Sequence, residues 1–217
     1  MKVLRAHIKG WTSSFRYPGF AVAVHPTLPM PPLSTLFGLL SAARGRPVTP
    51  QETAIGFVFR SEGKAVDLET IYEIESLVAK SNVVQREVLY APELFLYTSD
   101  LSFANDWRRP QYPLVLGRST ELVQVVEVCE VELEQREDAR IGFSLLPFSP
   151  RLSVAGSMHA LPTHFTTDLP RRAVGTRPWL MLESWQRSPV PVWCDTQNDW
   201  AVWMHGIDHA DQSTLGP

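Results

Sequence analysis

The chain is poor in cysteine: only Cys129 and Cys194 occur in 217 residues, too few for a disulfide framework. It also has no apolar run near the roughly 18 residues that a membrane helix needs. The N-terminal MKVLRAHIKGW holds neither an apolar stretch of signal-peptide length nor a small-residue cleavage site, so a cytoplasmic location without membrane association is expected. Walker A, G-x-G-x-x-G and G-x-S-x-G motifs are missing, which removes the commonest NTPase, dinucleotide-binding and α/β-hydrolase signatures. No internal repeat or low-complexity segment is found. What remains, 44% apolar and 20% charged, is an ordinary globular composition able to bury a core.

Positive charge is also short overall, with a net charge of −3, but it is unevenly spread. Residues 1–60 carry seven basic residues (Lys2, Arg5, Lys9, Arg16, Arg44, Arg46, Arg60) against one acid, Glu52. Residues 61–140 carry eight basic residues against sixteen acids. A basic N-terminal region on an acidic body can attract phosphate locally while other surfaces meet protein partners.

Residues 2–9 alternate with period two: Leu4, Ala6 and Ile8 fall on one face, Arg5, His7 and Lys9 on the other, the pattern of a half-buried strand. A proline-punctuated loop follows. Leu33, Leu36, Phe37 and Leu40 then mark the buried stripe of a helix, with Ser34 as the expected N-cap and Gly45 as a left-handed C-cap. Thr49, Pro50 and Glu52 stand in capping-box order and predict a second short helical turn. Residues 54 onward read mainly as strands. IGFVFRSEGKAV predicts two strands about a Ser-Glu-Gly turn, and NVVQREVLYAPELFLYTSD predicts strand, break and strand, with Pro92 at the break. The alternation over 122–134 slips by one residue at Val125–Val126, as a bulge does. Five of the seven tryptophans lie between 179 and 203, the density of a small aromatic core rather than a base-stacking platform. DQSTLGP reads as a frayed tail.

A strand, a helix and then strands, with one basic strand face left open, predict an α+β, ferredoxin-like (RRM-like) βαββαβ layout whose free sheet face meets RNA. Arg5, His7 and Lys9 lie on that face; Trp11, Phe15, Arg16 and Tyr17 lie in the loop leaving it. Interleaved aromatics and cations suit single strands, since rings stack on bases and charges hold the backbone. The loop returns to the start of the helix, where N–H groups and the Ser34 and Thr35 hydroxyls can receive a phosphate. Trp107, Arg108 and Arg109 form a second cluster, expected at the tip of a long hairpin. No cofactor or metal site is expected: HGIDH (His205, His209, with Asp208 and Asp211) reads as a solvated end, and Ser157 near His159 as a surface serine. His7, Lys9, Tyr17 and His25 are residue types that could cleave RNA without metal, which makes a metal-independent endoribonuclease the alternative to a non-catalytic RNA-binding protein.

Three motifs give a family resemblance. LPMPPLSTLFGLLSAARG, NVVQREVLYAPELFLYTSD and YPLVLGRSTELV, in this order, resemble the Cas five family of CRISPR-associated proteins in the RAMP superfamily, most like its type I-B and I-A branch. The resemblance implies a palm over 1–149, an inserted β-hairpin thumb at about 84–116 and a small C-terminal β region over 150–217. It implies a subunit of a type I Cascade complex that grips the 5′ handle of the CRISPR RNA. Its implied neighbours are a Cas seven backbone subunit, the large subunit and target DNA near the protospacer-adjacent motif. Ser34, Thr35, Arg86 and Arg118 fall in the matching motifs as RNA contacts. The tyrosine, lysine and histidine with which the type I-C branch cuts its precursor have no aligned Lys-His pair in this chain.

Overall fold

The computed structural model describes residues 1–17, 24–75, 78–149 and 152–206. β1 (Lys2–Gly10) leads through β2 (Thr12–Ser13) and β3 (Val24–His25) to helix α1 (Leu33–Arg44). β4 (Ile55–Arg60), β5 (Gly63–Glu75), β6 (Val78–Tyr90) and β7 (Glu93–Thr98) follow in close succession. α2 (Phe103–Arg108) separates them from β8 (Val123–Arg136). Short strands complete the chain: β9 (Arg140–Ile141), β10 (Ser144–Pro147), β11 (Ser157–Leu161), β12 (His164–Phe165), β13 (Ala173–Val174), β14 (Arg177–Leu182), β15 (Gln186–Arg187), β16 (Val192–Asp195) and β17 (Trp200–Val202).

The architecture is α+β and mostly β. The main sheet is antiparallel with order β17-β16-β8-β1-β7-β4; α1 lies in the connection from β1 to β4 and α2 in that from β7 to β8. The period-two reading of β1 holds for one face: Leu4, Ala6 and Ile8 pack under α1 with Leu33, Leu36, Phe37 and Leu40. The other face is not open. The sheet curls until its two edges meet, with Ile55 N donating to the His205 carbonyl at 3.0 Å and His205 N donating to the Ile55 carbonyl at 2.6 Å. A nearly closed barrel results, its second core built from Val3, Val58, Tyr97, Val131, Trp200 and Met204. Closure removes the exposed sheet edges that otherwise invite aggregation, and it also buries Arg5 and half-buries His7, leaving Lys9 exposed at the rim.

Other expectations hold or shift for physical reasons. Gly45 ends α1 in the left-handed region (φ 79°), its N–H reaching Ser41 O at 2.9 Å. The N-cap is Pro32, not Ser34: its extended backbone turns its carbonyl to Thr35 N at 2.9 Å, and Ser34 is already inside the helix. Residues 50–52 form a turn rather than a helix, although Glu52 Oε1 does accept from Thr49 N at 3.2 Å in the capping-box manner. The bulge falls where alternation slips: Glu127 pairs with His7 and Val125 with Ile8, leaving Val126 over. Trp179, Trp200 and Trp203 are buried, and Trp185 stacks on Trp200 with ring centroids 5.7 Å apart. The C-terminal stretch does not stand apart, since β16 and β17 extend the main sheet beyond β8.

The long hairpin is β5–β6, paired continuously from Gly63–Tyr90 to Glu75–Val78. It precedes the expected 84–116 span, which holds instead the end of β6, the buried strand β7 and α2. Pro92 marks the return of the chain from hairpin to sheet rather than departure from it.

Candidate nucleic-acid interface

Arg5 is only 6% exposed and lies inside the barrel. Its Nη1 donates to Asp195 Oδ2 at 2.7 Å and its Nη2 to Gln197 Oε1 at 3.1 Å; Tyr97 OH (2.7 Å) and Asn198 Nδ2 (2.9 Å) donate to the same Asp195 oxygen. Burial pushes the Asp195 carboxyl up, but hydrogen bonds from Tyr97 and Arg5 outweigh it and hold the group below the usual carboxylate range. Burial, then the Asp195 charge, pushes the Tyr97 phenol well up. Arg5 is thus committed to a buried network and is not available to a phosphate. Phe15 is also core, edge-on to Phe59 at 5.5 Å. Trp107 is buried beside Phe103 in α2, which packs on α1 through Arg44–Asp106 (2.7 Å) and Arg44–Asp100 (3.0 Å), so neither it nor the exposed Arg108 and Arg109 sits on a hairpin tip. His7 stacks on Phe95 (4.2 Å, 10°) and bonds Glu93 at 2.9 Å.

Of the remaining candidates, Lys9 and Trp11 lie at the root of the long hairpin. Glu93 draws Lys9 Nζ (3.0 Å) and Arg60 Nη2 (3.0 Å) to the rim beside His7. Burial raises the Glu93 carboxyl, but the Lys9 and His7 hydrogen bonds bring it below its ordinary value. Trp11 is 81% exposed, its carbonyl accepting from Ala91 N at 2.9 Å, and Thr12 pairs with the exposed Tyr90. Lys9, Gly10, Arg60, Ser61 and Glu93 line an open groove of about 390 Å³. Arg60 and Ser61 also line a second cavity of about 470 Å³, which includes Tyr17, Lys64 and His159. The two hollows share Arg60 and Ser61, and cations line both: Lys9 and Arg60 in the first, Arg60 and Lys64 in the second.

A second set ties the 117–121 loop to Ser14 and to the hairpin. The buried Glu121 carboxylate accepts from Ser14 N (3.0 Å), Ser14 Oγ (2.8 Å) and Arg118 N (2.6 Å). Gly117 makes that possible: at φ 132°, any Cβ there would overlap the Glu121 carboxylate and the Ser14 carbonyl. Arg118 in turn reaches Glu69 on β5 at 3.2 Å, and Arg86 Nε reaches the same carboxylate at 2.5 Å. Arg86 and Arg118, each expected as an RNA contact, are thus brought together on Glu69, where they brace the hairpin. Arg16 stays exposed, bridged by backbone to Thr27. Ser34 and Thr35 are half-buried and sit apart from this cluster, Ser34 lining a groove between α1 and the β12–β13 ribbon.

Sequence reasoning missed Arg60, Lys64, Tyr90 and Glu93. The cations on both sides of the RSEGK turn were a signal, since a turn that joins two strands places its flanking charges side by side. It also misjudged His205, which is buried against Trp179 rather than solvated; His209, Asp208, Asp211 and the tail lie outside the described residues. Among the described residues no three His, Cys, Asp or Glu side chains are placed to hold a metal, and no helix is long and apolar enough to cross a membrane.

No family model and no curated protein matches the chain. Among solved structures, a chain titled "CRISPR RNA-guided surveillance complex" is similar over 87% of this chain and 91% of its own, with TM-score 0.54 and 18% identity. A CRISPR protein from Archaeoglobus fulgidus covers 96% of this chain and 100% of its own at 13% identity, and its TM-score of 0.49 is too low to carry an argument. At these identities the likeness is one of fold.

Proposed function

We propose that the chain is a non-catalytic RNA-binding subunit of a type I CRISPR effector complex, holding the 5′ handle of the CRISPR RNA and docking the Cas seven backbone subunit and the large subunit. The observation that carries this reading is the near full-length fold likeness to a chain of an RNA-guided surveillance complex. Two features support it. The order β8-β1-β7-β4, with a helix in each crossover, fits a ferredoxin-like palm, and the β5–β6 hairpin inserted between β4 and β7 fits a thumb. The exposed Trp11 and Tyr90 beside Lys9, Arg60 and Lys64 fit a single strand, with rings for bases and cations for phosphates. The handle lies along the two hollows. Docking falls to the acidic outer surfaces, away from it.

The test is purification of tagged protein from cells that express its neighbouring genes, followed by sequencing of bound RNA. An enriched RNA with one uniform 5′ end is expected. RNA of random ends, or none, would sink the reading.

The endoribonuclease alternative has one favourable observation: Tyr17 OH lies 3.5 Å from His159 Nε2 in the cavity that Lys64 also lines. Glu183 lines the same cavity and would repel a scissile phosphate, and His7 is engaged by Glu93. Non-catalytic binding is therefore the better-supported reading.

A further inference from the structure

The 470 Å³ cavity differs in chemistry from the groove with which it shares Arg60 and Ser61. Phe59, Leu89 and Met30, all buried, line its apolar part. Tyr17 and His159 stand at right angles along its side, with ring centroids 5.1 Å apart. Its polar groups converge on one strand end: Ser157 Oγ is 3.1 Å from His159 Nε2 and 3.5 Å from Glu183 Oε1. Its cations are Arg60, which also lines the neighbouring groove, and Lys64, which pairs with Glu87 at 3.0 Å.

This arrangement suits a flat ring more than an anion. The volume is within the range of small-molecule sites, where apolar walls hold the body and a few polar groups read an edge. A carboxylate inside the cavity repels phosphate and accepts hydrogen bonds from amino groups. Burial lowers the His159 pKa despite the nearby Glu183 charge, so the imidazole is neutral at pH 7 and acts as a hydrogen-bonding ring. An apolar part, a polar edge and two cations on one lining suit a nucleotide turned out of a strand, its base against the apolar part and its phosphate on Arg60 or Lys64.

We propose that this cavity receives one unstacked, amino-bearing base (adenine, cytosine or guanine, not uracil) of the bound RNA, with Glu183 and Ser157 reading its edge. The proposal rests on the RNA-binding reading above and adds a base-selective site to it. Ser157 and Glu183 select the base; they are not catalytic.

The test uses the full chain and three single-stranded RNA probes, A8, C8 and U8, with affinities measured at one salt concentration. A8 and C8 are expected to bind at least about five-fold more tightly than U8. Glu183→Gln, on an exposed side chain, should shrink that preference, and Ser157→Trp, which fills the cavity, should weaken A8 and C8 by about 5- to 100-fold while leaving U8 near its wild-type affinity. In A8 carrying 2-aminopurine at successive positions, one position should brighten on binding and lose that signal in Ser157→Trp. If both variants bind all three RNAs as the wild type does, or the wild type shows no base preference, the cavity is not a base site although RNA binding stands. If the wild type binds none of the RNAs, the RNA-binding reading itself fails, and this inference with it.

Discussion

Arg118 Nη1 lies 3.2 Å from Glu69 Oε1, an ion pair that ties the 117–121 loop to the long hairpin. Glu69 also holds Arg86, so one carboxylate fixes two cations about halfway along the hairpin. Burial raises the Glu69 pKa, but Arg86 and Arg118 lower it further, and its net contribution to stability is present above the ordinary carboxylate range and lost as pH falls. The pair is partly solvated, which limits its worth to about 1 kcal/mol. A double-mutant cycle of Glu69→Gln with Arg118→Met, read by urea unfolding, should give a coupling of that size; zero coupling would leave the brace without energetic meaning.

The loop under that brace has a sharper requirement. Gly117→Ala would force a side chain into the space of the Glu121 carboxylate at a positive φ. A loss of about 1–3 kcal/mol is expected from backbone strain, with more if Glu121 is displaced from Ser14. Thermal melting of the Ala variant against wild type measures it. An unchanged melting temperature would refute the close approach.

Lys9 and Arg60 are expected to touch phosphate. Each Ala substitution should lower RNA affinity about equally across sequences and flatten the log–log salt dependence by about 0.7, the value for one single-strand contact. Trp11→Ala should cost roughly 1–3 kcal/mol with the slope unchanged, because stacking releases no counterions. Salt titrations for the three variants separate these outcomes. Wild-type slopes for both cation variants would move the grip elsewhere.

The Arg5–Asp195 pair predicts the opposite pattern. Arg5→Ala strands a buried carboxylate and should destabilise the fold by about 3–5 kcal/mol, with no change in salt slope once corrected for folded fraction. Because Asp195 is held below the ordinary carboxylate range, its stabilisation is complete above about pH 4 and is lost as pH falls below it. Asp195→Asn should flatten that acid limb in urea midpoints taken from pH 3 to 7. A limb as steep as wild type would contradict the assignment.

Metal-independent cleavage is not expected. Labelled repeat RNA incubated with protein and chelator should remain full length; one discrete cut, abolished by Tyr17→Phe and His159→Ala, would establish the nuclease alternative instead.

Local patterns were legible where neighbours in sequence decide the structure. The α1 stripe, its Gly45 stop, the bulge at Val126 and the buried tryptophans all follow from spacing within a few residues. The closure of the barrel was not legible, because it depends on Ile55 meeting His205, and nothing local marks either as a partner. That single long-range contact turns most of the basic face of β1 into an interior, so Arg5 is buried while Lys9, at the rim, stays exposed. The hairpin was misplaced for a related reason: Val66, Leu68, Tyr72 and Ile74 look like core residues yet are exposed. The cavity was missed because Tyr17, Lys64 and His159 come from three distant stretches, and nothing local joins the loop of Tyr17 to the other two.

The partnership of Arg5 with a residue near the other end of the chain also has a consequence during synthesis. Arg5 leaves the ribosome with the first strand, but Asp195 follows 190 positions later. At about 5–20 residues per second the interval is roughly 10–40 s. Through that time the nascent palm carries an unneutralised guanidinium on a surface meant to be sealed, and its sheet lacks β16 and β17. A chaperone that holds the half-made sheet should therefore be needed until residues 192–202 have emerged, and a ribosome pausing just before residue 192 should leave a product prone to aggregate.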